Sequence, residues 1–413
     1  MAMKKPFQWV AAACLCTLLT TAATAEELSL NQAVESALKN NPTIASGQFS
    51  ADAAKHAARG ARALSNPEIS VSPSVIGDAG SDSAVLFLQP LEMNGSRRVR
   101  GEISAYQATA ARFDGVVTRR DVVLRVKQTY WDVARAQELV RLNQDNLAHF
   151  ETLRTGVQKQ YDVGTVPGSQ LLKTDVEIAR ARQELAQAQL EHAQAKATMN
   201  ALLNRPKNQD FTLADPLVFS DAAVDRARLQ EAALANRPEI ASAQAQAEAS
   251  RRQVKAAQLI RAPDLAIQAR RDTLKGDGNS GVALAVTLPL IDWGSAKADR
   301  KRAESAARSQ EKQLEATRTS VFLDVEQAAQ LVETSSQIVR EYQGGILAKS
   351  EELAQMARTG YEKGATSYLE VLEAQRTLRT ARTAYYTALA DSSKSLAQLE
   401  WAIGGEATPE VKK

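Results

Sequence analysis

The side chains best suited to chemistry are few in this sequence, and they are scattered. Its three histidines, His56, His149 and His192, have no Cys or second His at ligand spacing, so the pattern offers no zinc or transition-metal site. Met93, Met199 and Met356 stand alone, which excludes a soft-metal cluster of the clustered-thioether kind. Gly344-Gly345 follows no strand and precedes no Lys-Ser/Thr, so it is no phosphate loop; a local weakening of a helix is the expectation there. The sequence therefore predicts no catalytic residues, no metal ligands and no cofactor. One pair of carboxylates remains. Glu370 and Glu373 are three residues apart, share one face of a helix, and would concentrate negative charge wherever copies of that helix meet.

The elements that must carry these residues follow from composition and period. Among 413 residues, 44% are hydrophobic, 24% charged and 5% aromatic. The 73 alanines favour long helices whose backbones approach closely. The net charge is +3 with both signs interleaved, which argues against a nucleic-acid partner. At the N-terminus, Lys4 and Lys5 precede an apolar run from Phe7 to Leu19, and Ala23-Thr24-Ala25 follows; residues 1–25 read as a secretory signal cleaved after Ala25. Both cysteines, Cys14 and Cys16, fall inside it, so an exported chain without disulfides is expected. A lipidated N-terminus at Cys14 is the rival reading, although no Leu sits three residues upstream. Beyond residue 25 no run of about 18 apolar residues exists. Entry into a membrane would have to be by β-strands.

Internal repetition organises the rest. Leu38-Lys39-Asn40-Asn41-Pro42-Thr43-Ile44-Ala45 recurs as Leu234-Ala235-Asn236-Arg237-Pro238-Glu239-Ile240-Ala241, and Asn66-Pro67-Glu68-Ile69 recurs as Ala262-Pro263-Asp264-Leu265. Gln89-Pro90-Leu91 with Gly95-Ser96 recurs as Leu288-Pro289-Leu290 with Gly294-Ser295. Tyr161, Gly164, Leu172 and Arg182 return as Tyr361, Gly364, Leu372 and Arg382. Four landmarks in one order imply a duplicated unit. The expected units are 26–203 and 223–405, joined by a segment at 204–222 that contains Phe211-Thr212-Leu213 and followed by a polar tail at 406–413.

Each unit predicts two long helices, about 96–160 and 169–203 in the first and about 295–358 and 369–403 in the second. A coiled-coil grid runs through Val122, Val126, Val133, Ala136, Val140, Leu147, Phe150 and Val157. Its counterpart runs through Leu314, Val321, Val325, Ala328, Val332, Val339, Tyr342, Ile346, Leu353 and Met356. The second helices carry small residues, Ala179, Ala181, Ala186 and Ala193, then Ala374, Ala381, Ala384 and Ala388, which predict close antiparallel packing onto the long helix. Two alternating segments precede each long helix, giving hairpins at about 67–91 and 263–290. These could form a small sheet packed on helices. In lipid they must close, and four strands cannot; three chains would supply a twelve-stranded barrel.

With these features the sequence resembles the TolC-like outer-membrane efflux family over nearly the whole chain after residue 25. The carrying features are the duplication, the Asn-x-Pro turns at Asn40–Pro42 and Asn236–Pro238, and Tyr361-x-x-Gly364 leading into Leu369-Glu370-Val371-Leu372-Glu373-Ala374. Gln89-Pro90-Leu91-Glu92-Met93-Asn94-Gly95-Ser96-Arg97-Arg98 is similar to a stretch of the CzcC-type branch for heavy-metal cation efflux, with Ser96 where that branch has Lys. The resemblance implies a mainly α fold with a small β part: a homotrimer with a periplasmic helical tunnel and a twelve-stranded barrel in outer-membrane lipid. It implies partners too, a periplasmic membrane-fusion adaptor and an inner-membrane resistance-nodulation-division pump. Tyr161, Gly164, Tyr361 and Gly364 would be the adaptor-facing tips. Glu370 and Glu373 match the acidic positions that ring the tunnel entrance, while Gln170 and Lys173, their first-unit counterparts, are not acidic, and Lys173 could pair with a glutamate. Drug efflux or type I protein secretion, and a purely structural periplasmic coiled coil, remain as alternatives.

Overall fold

The computed structural model describes residues 26–72, 84–271, 279–289, 291 and 293–405. Residues 1–25, expected as a signal segment, and residues 73–83, 272–278, 290, 292 and 406–413 lie outside the described residues.

The chain begins with β1 (Glu26–Leu28), α1 (Leu30–Asn40) and α2 (Pro42–Gly60), followed by β2 (Glu68–Ser72) and β3 (Ala84–Pro90). Next come α3 (Ser96–Asp162) and α4 (Gly168–Leu202), then β4 (Phe211–Leu213) in the connecting segment. The same order repeats as α5 (Arg226–Asn236), α6 (Pro238–Leu259), β5 (Asp264–Arg271), β6 (Ser280–Thr287), α7 (Ser295–Glu341), α8 (Leu347–Glu362) and α9 (Tyr368–Ile403). The 67 residues of α3 span about 100 Å at 1.5 Å per residue.

Two buried clusters hold the middle of the molecule, and they are repeat images of each other. Val122, Val126, Tyr130 and Val133 of α3 pack with Ala33, Ala37, Ile44, Met199 and Leu203. In the second, Val321, Val325, Ala328 and Val332 of α7 pack with Ala233, Ile240, Leu399, Ala402 and Ile403. The entry to each cluster uses a related device. Asn41 caps α2, accepting from Thr43 N at 2.9 Å, and its Nδ2 donates to Leu202 O at 2.8 Å, closing the end of α4. Arg237 occupies the equivalent place before Pro238 and its Nη1 donates to Ala402 O at 3.2 Å, closing the end of α9. β4 pairs in parallel with β1, so the connecting segment is tied to the first residues described.

The second coiled-coil grid departs from expectation beyond Tyr342. Between α7 and α8 the helix opens into a π turn at Tyr342–Ile346, with non-helical backbone at Gly345. A π turn inserts one residue, so the buried phase moves by one. Ala354 and Ala357 are buried where Leu353 and Met356 were expected, and those two are 48% and 64% exposed. Gly344-Gly345 thus marks a shift of register between the two halves of one wall helix. The first grid has no insertion, and Val133, Ala136, Phe150 and Val157 stay buried to its end.

The small-residue seam of α4 also divides. Ala181 is buried with Ile178 against α3, whereas Ala179, Ala186 and Ala193 face solvent beside the exposed Leu172, Val176 and Leu190. Alanine serves both faces of a helix, so composition alone merges them. In α9, Ala374, Ala381 and Ala388 are buried and Ala384 is half-buried. Along the backbone, near neighbours run in the order α4, α3, α9 and α8, leaving α4 and α7–α8 as the outer helices. Each bears an apolar stripe left exposed among the described residues: Leu172, Val176 and Leu190 on one, Leu331, Ile338, Ile346 and Leu353 on the other.

The hairpins join in one antiparallel sheet of order β2–β3–β5–β6, with β3 pairing β5 between the repeats. Its edges, β2 and β6, pair with no further strand among the described residues, and Ile69, Val71, Val282, Leu284 and Val286 are exposed along them.

Candidate functional site

At the end remote from the sheet, α3 turns into α4 and α8 turns into α9 through one local geometry used twice. Gly164 and Gly364 each have φ +76°. The amide of Gly164 donates to Tyr161 O at 2.9 Å and that of Thr165 to Gln160 O at 2.9 Å. In the second turn Gly364 N reaches Tyr361 O at 3.0 Å and Ala365 N reaches Gly360 O at 2.8 Å. A helix end closed this way needs a left-handed residue, which glycine adopts without a Cβ clash. No atom lies within 4 Å of where a Cβ would sit at either glycine, so the requirement there is backbone conformation and not space.

The two tyrosines of the tips differ. Tyr161 is 46% exposed. Tyr361 turns inward, its hydroxyl 2.8 Å from Gln160 Oε1 and 3.2 Å from Gln170 Oε1, so one proton ties the second tip to both helices of the first. Its ring leans on Tyr368, 5.7 Å between centroids, and the Tyr368 hydroxyl meets Thr174 Oγ1 at 2.5 Å. Burial pushes both phenols above their ordinary pKa, so they remain hydroxyl donors at neutral pH. Phe150, Val157, Ile178 and Leu372 pack behind them.

Both carboxylates of the acidic pair are exposed near the start of α9. Glu370 has a second task. It is the N3 residue of a capping box, its Oε2 accepting from Ser367 N at 3.2 Å while Ser367 Oγ accepts from Glu370 N at 3.3 Å. Glu373 makes no side-chain contact of this kind and points its charge to solvent. Gln170 serves Tyr361, and Lys173 makes no ion pair among the described residues.

Above the tips, ion pairs stitch the hairpins together, and the sequence reading missed them. Arg182 meets Glu151 at 3.2 Å and Arg382 meets Glu351 at 2.8 Å, the same pair in each repeat at an offset of 200 residues. That offset, already marked by Arg182 and Arg382, was the available signal. Buried Glu177 of α4 is held by Arg180 at 3.1 Å and by Arg376 of α9. His149 lies half-buried in the groove between α3 and α8, and burial, with the Arg358 charge, lowers its pKa. Lys196 lies beside His192. Met199 is buried in the first core cluster, while His56, Met93 and Met356 are exposed in three separate places. Among the described residues no three His, Cys, Asp or Glu side chains converge to hold a metal ion.

Two helical hairpins close on exposed tips at the end of the molecule remote from a four-stranded sheet. The family profile of the outer membrane efflux protein matches residues 33–205 and again 229–405. The chain belongs to the outer membrane efflux protein family. It is 24% identical to the cobalt-zinc-cadmium resistance protein CzcC of Cupriavidus metallidurans, over 91% of this chain and 90% of that protein. It is 25% identical to the pyoverdine export outer membrane protein OpmQ of Pseudomonas putida, over 83% and 73%. The solved structure of CusC has the same fold, with a TM-score of 0.77 at 20% identity across 92% of this chain and 93% of that one. The protein is an efflux channel of the outer membrane, extending into the periplasm, and not an enzyme.

Proposed function

We propose that this channel passes divalent heavy-metal cations to the exterior as the outer component of a tripartite system. The observation that carries the metal reading is the near full-length likeness to CzcC, which spans nine-tenths of both chains. The stretch shared with the CzcC-type branch has a physical role here. Gln89 Nε2 donates to Ser65 O at 2.9 Å, Glu92 accepts from Arg100 at 2.7 and 2.9 Å and from Ser65 Oγ at 3.0 Å, and together they brace the sheet on the helices. The hydrogen bond from Arg100 holds the Glu92 carboxyl below its ordinary pKa. Growth of a deletion strain on zinc, cobalt or cadmium tests the substrate. Sensitivity to those ions supports metal efflux; sensitivity confined to detergents and dyes supports drug efflux.

The working unit in this reading is a homotrimer. The open strands β2 and β6 pair between neighbours to give twelve strands, and the apolar stripe on α4 meets that on α7–α8 of the next chain. Closure of both rings satisfies backbone groups that lipid cannot, and covers exposed leucines that water disfavours. The periplasmic adaptor meets the tips at Tyr161, Gly164, Tyr361 and Gly364, and the adaptor joins the channel to an inner-membrane resistance-nodulation-division pump. Replacing Gly164 and Gly364 by leucine should cost about 1–2 kcal/mol at each turn. Metal resistance should fall to that of the deletion strain while trimers persist in the outer membrane; unimpaired resistance contradicts the assignment.

Glu370 and Glu373 form the gate. Three chains bring six carboxylates to one constriction, which favours cations and resists anions. The ion passes without a tight binding site, so selectivity among metals rests with the pump. Because glutamine also serves at N3 of a capping box, Glu370→Gln/Glu373→Gln removes the charge and keeps the helix start. Planar-bilayer recordings of that variant should show cation selectivity reduced several-fold and weaker block by multivalent cations. Selectivity equal to the parent protein removes the gate from these residues.

A further inference from the structure

The four helix ends that adjoin the sheet form one contiguous surface. Arg100 Nε donates to Ala61 O at 3.0 Å, joining the start of α3 to the end of α2. Arg252 of α6 meets Glu102 of α3 at 3.1 Å, and Arg251 meets Glu311 of α7 at 2.9 Å. Charge is concentrated there. The stretches 55–68, 92–105, 251–264 and 291–304 hold 14 Lys and Arg against 7 Asp and Glu, whereas the rest of the chain holds 37 against 41. Arg59, Arg62, Arg97, Lys255, Lys297 and Lys301 are exposed and make no ion pair among the described residues.

A second feature lies directly on the sheet side of these cations. Met93, Ile260, Ile291 and Trp293 stand on the connections between helices and strands, and all are exposed, Trp293 at 94%. Apolar residues and a Trp bordering a strand region, followed by exposed cations, have the order of a bilayer boundary: acyl chain, interface, headgroup. A solvated charged face would instead be expected to mix its signs, as the rest of this chain does.

We propose that this belt binds the phosphate headgroups of anionic phospholipids in the periplasmic leaflet of the outer membrane, and so fixes the depth of the channel in the bilayer. The inference rests on the barrel reading above. Phosphodiester anions fit because the belt presents exposed guanidinium and ammonium donors that form no ion pair among the described residues, and three chains would close it into a ring. Each such cation near a charged surface strengthens association about five-fold.

The test uses trimer reconstituted in phosphatidylcholine, with spin-labelled phosphatidylglycerol or spin-labelled phosphatidylcholine as probe, read by electron spin resonance. The parent should show a motionally restricted lipid population with a several-fold preference for phosphatidylglycerol, which falls towards parity at high salt. Arg97→Gln/Lys255→Gln/Lys297→Gln/Lys301→Gln should lose that preference, and the matching Arg97→Lys/Lys255→Arg/Lys297→Arg/Lys301→Arg should retain it. Restricted lipid without preference in the parent, or an undiminished preference in the glutamine variant, overturns the belt and leaves the barrel standing. Absence of restricted lipid overturns the barrel reading itself, and the belt with it.

Discussion

Arg237→Ala is expected to destabilise the protein by about 2–3 kcal/mol, the cost of losing a hydrogen-bonded, buried guanidinium whose carboxylate partners keep part of their water. The Arg237 side chain is 3% exposed. Its Nη2 donates to Asp324 at 2.8 Å, and its Nε lies 2.9 Å from Glu239 without the alignment of a hydrogen bond. Nη1 closes the last turn of α9 at Ala402 O, and the guanidinium plane lies 4.3 Å over the Trp401 ring. Arg120 approaches the same ring and also binds Trp401 O, so two cations converge on one helix end. Removing Arg237 strands Asp324, exposes the α9 terminus and leaves Arg120 to serve Glu239 alone. Lysine should rescue less than half of the loss, since an ammonium lacks the planar fork that serves a carboxylate and a carbonyl together. Thermal or denaturant unfolding of the purified protein measures both variants. A loss below about 1 kcal/mol for alanine, the worth of an exposed pair, contradicts the assignment.

Leu284→Arg should abolish trimers in the outer membrane. Leu284 sits in the middle of β6, opposite Ile267 of β5, and is 61% exposed in the single chain. In a barrel its face meets hydrocarbon, where arginine at the midplane costs about 2–4 kcal/mol, incurred three times per trimer. The neighbouring Ala283 alternates to the other face, so Ala283→Ser should be tolerated. Heat-modifiable trimer in outer-membrane fractions is the readout, and a normal yield of Leu284→Arg trimer contradicts a lipid-facing β6.

Much of this architecture is legible because duplication writes each landmark twice. Periodicity reaches the core of α3 without error, since nothing interrupts the heptads between Val122 and Val157. In α7 the same reasoning fails after Tyr342. A pattern of apolar spacings cannot register a one-residue insertion when the residues beyond it, Leu353 and Met356, are themselves apolar. The alanines one place later, Ala354 and Ala357, pack with Val371 and Ala374 instead. Asn41 and Arg237 illustrate a different blindness: two unlike residues close equivalent helix ends, and residue identity conceals the shared task. At the tips, the glycines were legible from the conformation a reversing helix requires. The capping role of Glu370 was also written in the sequence, as Ser367-x-x-Glu370, but a carboxylate read for its charge is easily read for nothing else. Ion pairs such as Arg376 with Glu177 join helices about 200 residues apart, and no local pattern announces them.

A trimeric channel closed by both the sheet edges and the outer helices has a decisive test in single-channel recording. Crosslinked trimer purified from outer membranes is added to a planar bilayer and the current recorded in salt. Discrete, cation-selective conductance steps of one size are expected, one step for each trimer inserted. Trimer recovered from the bilayer with no steps above baseline, or steps equally permeable to anions and cations, would contradict it.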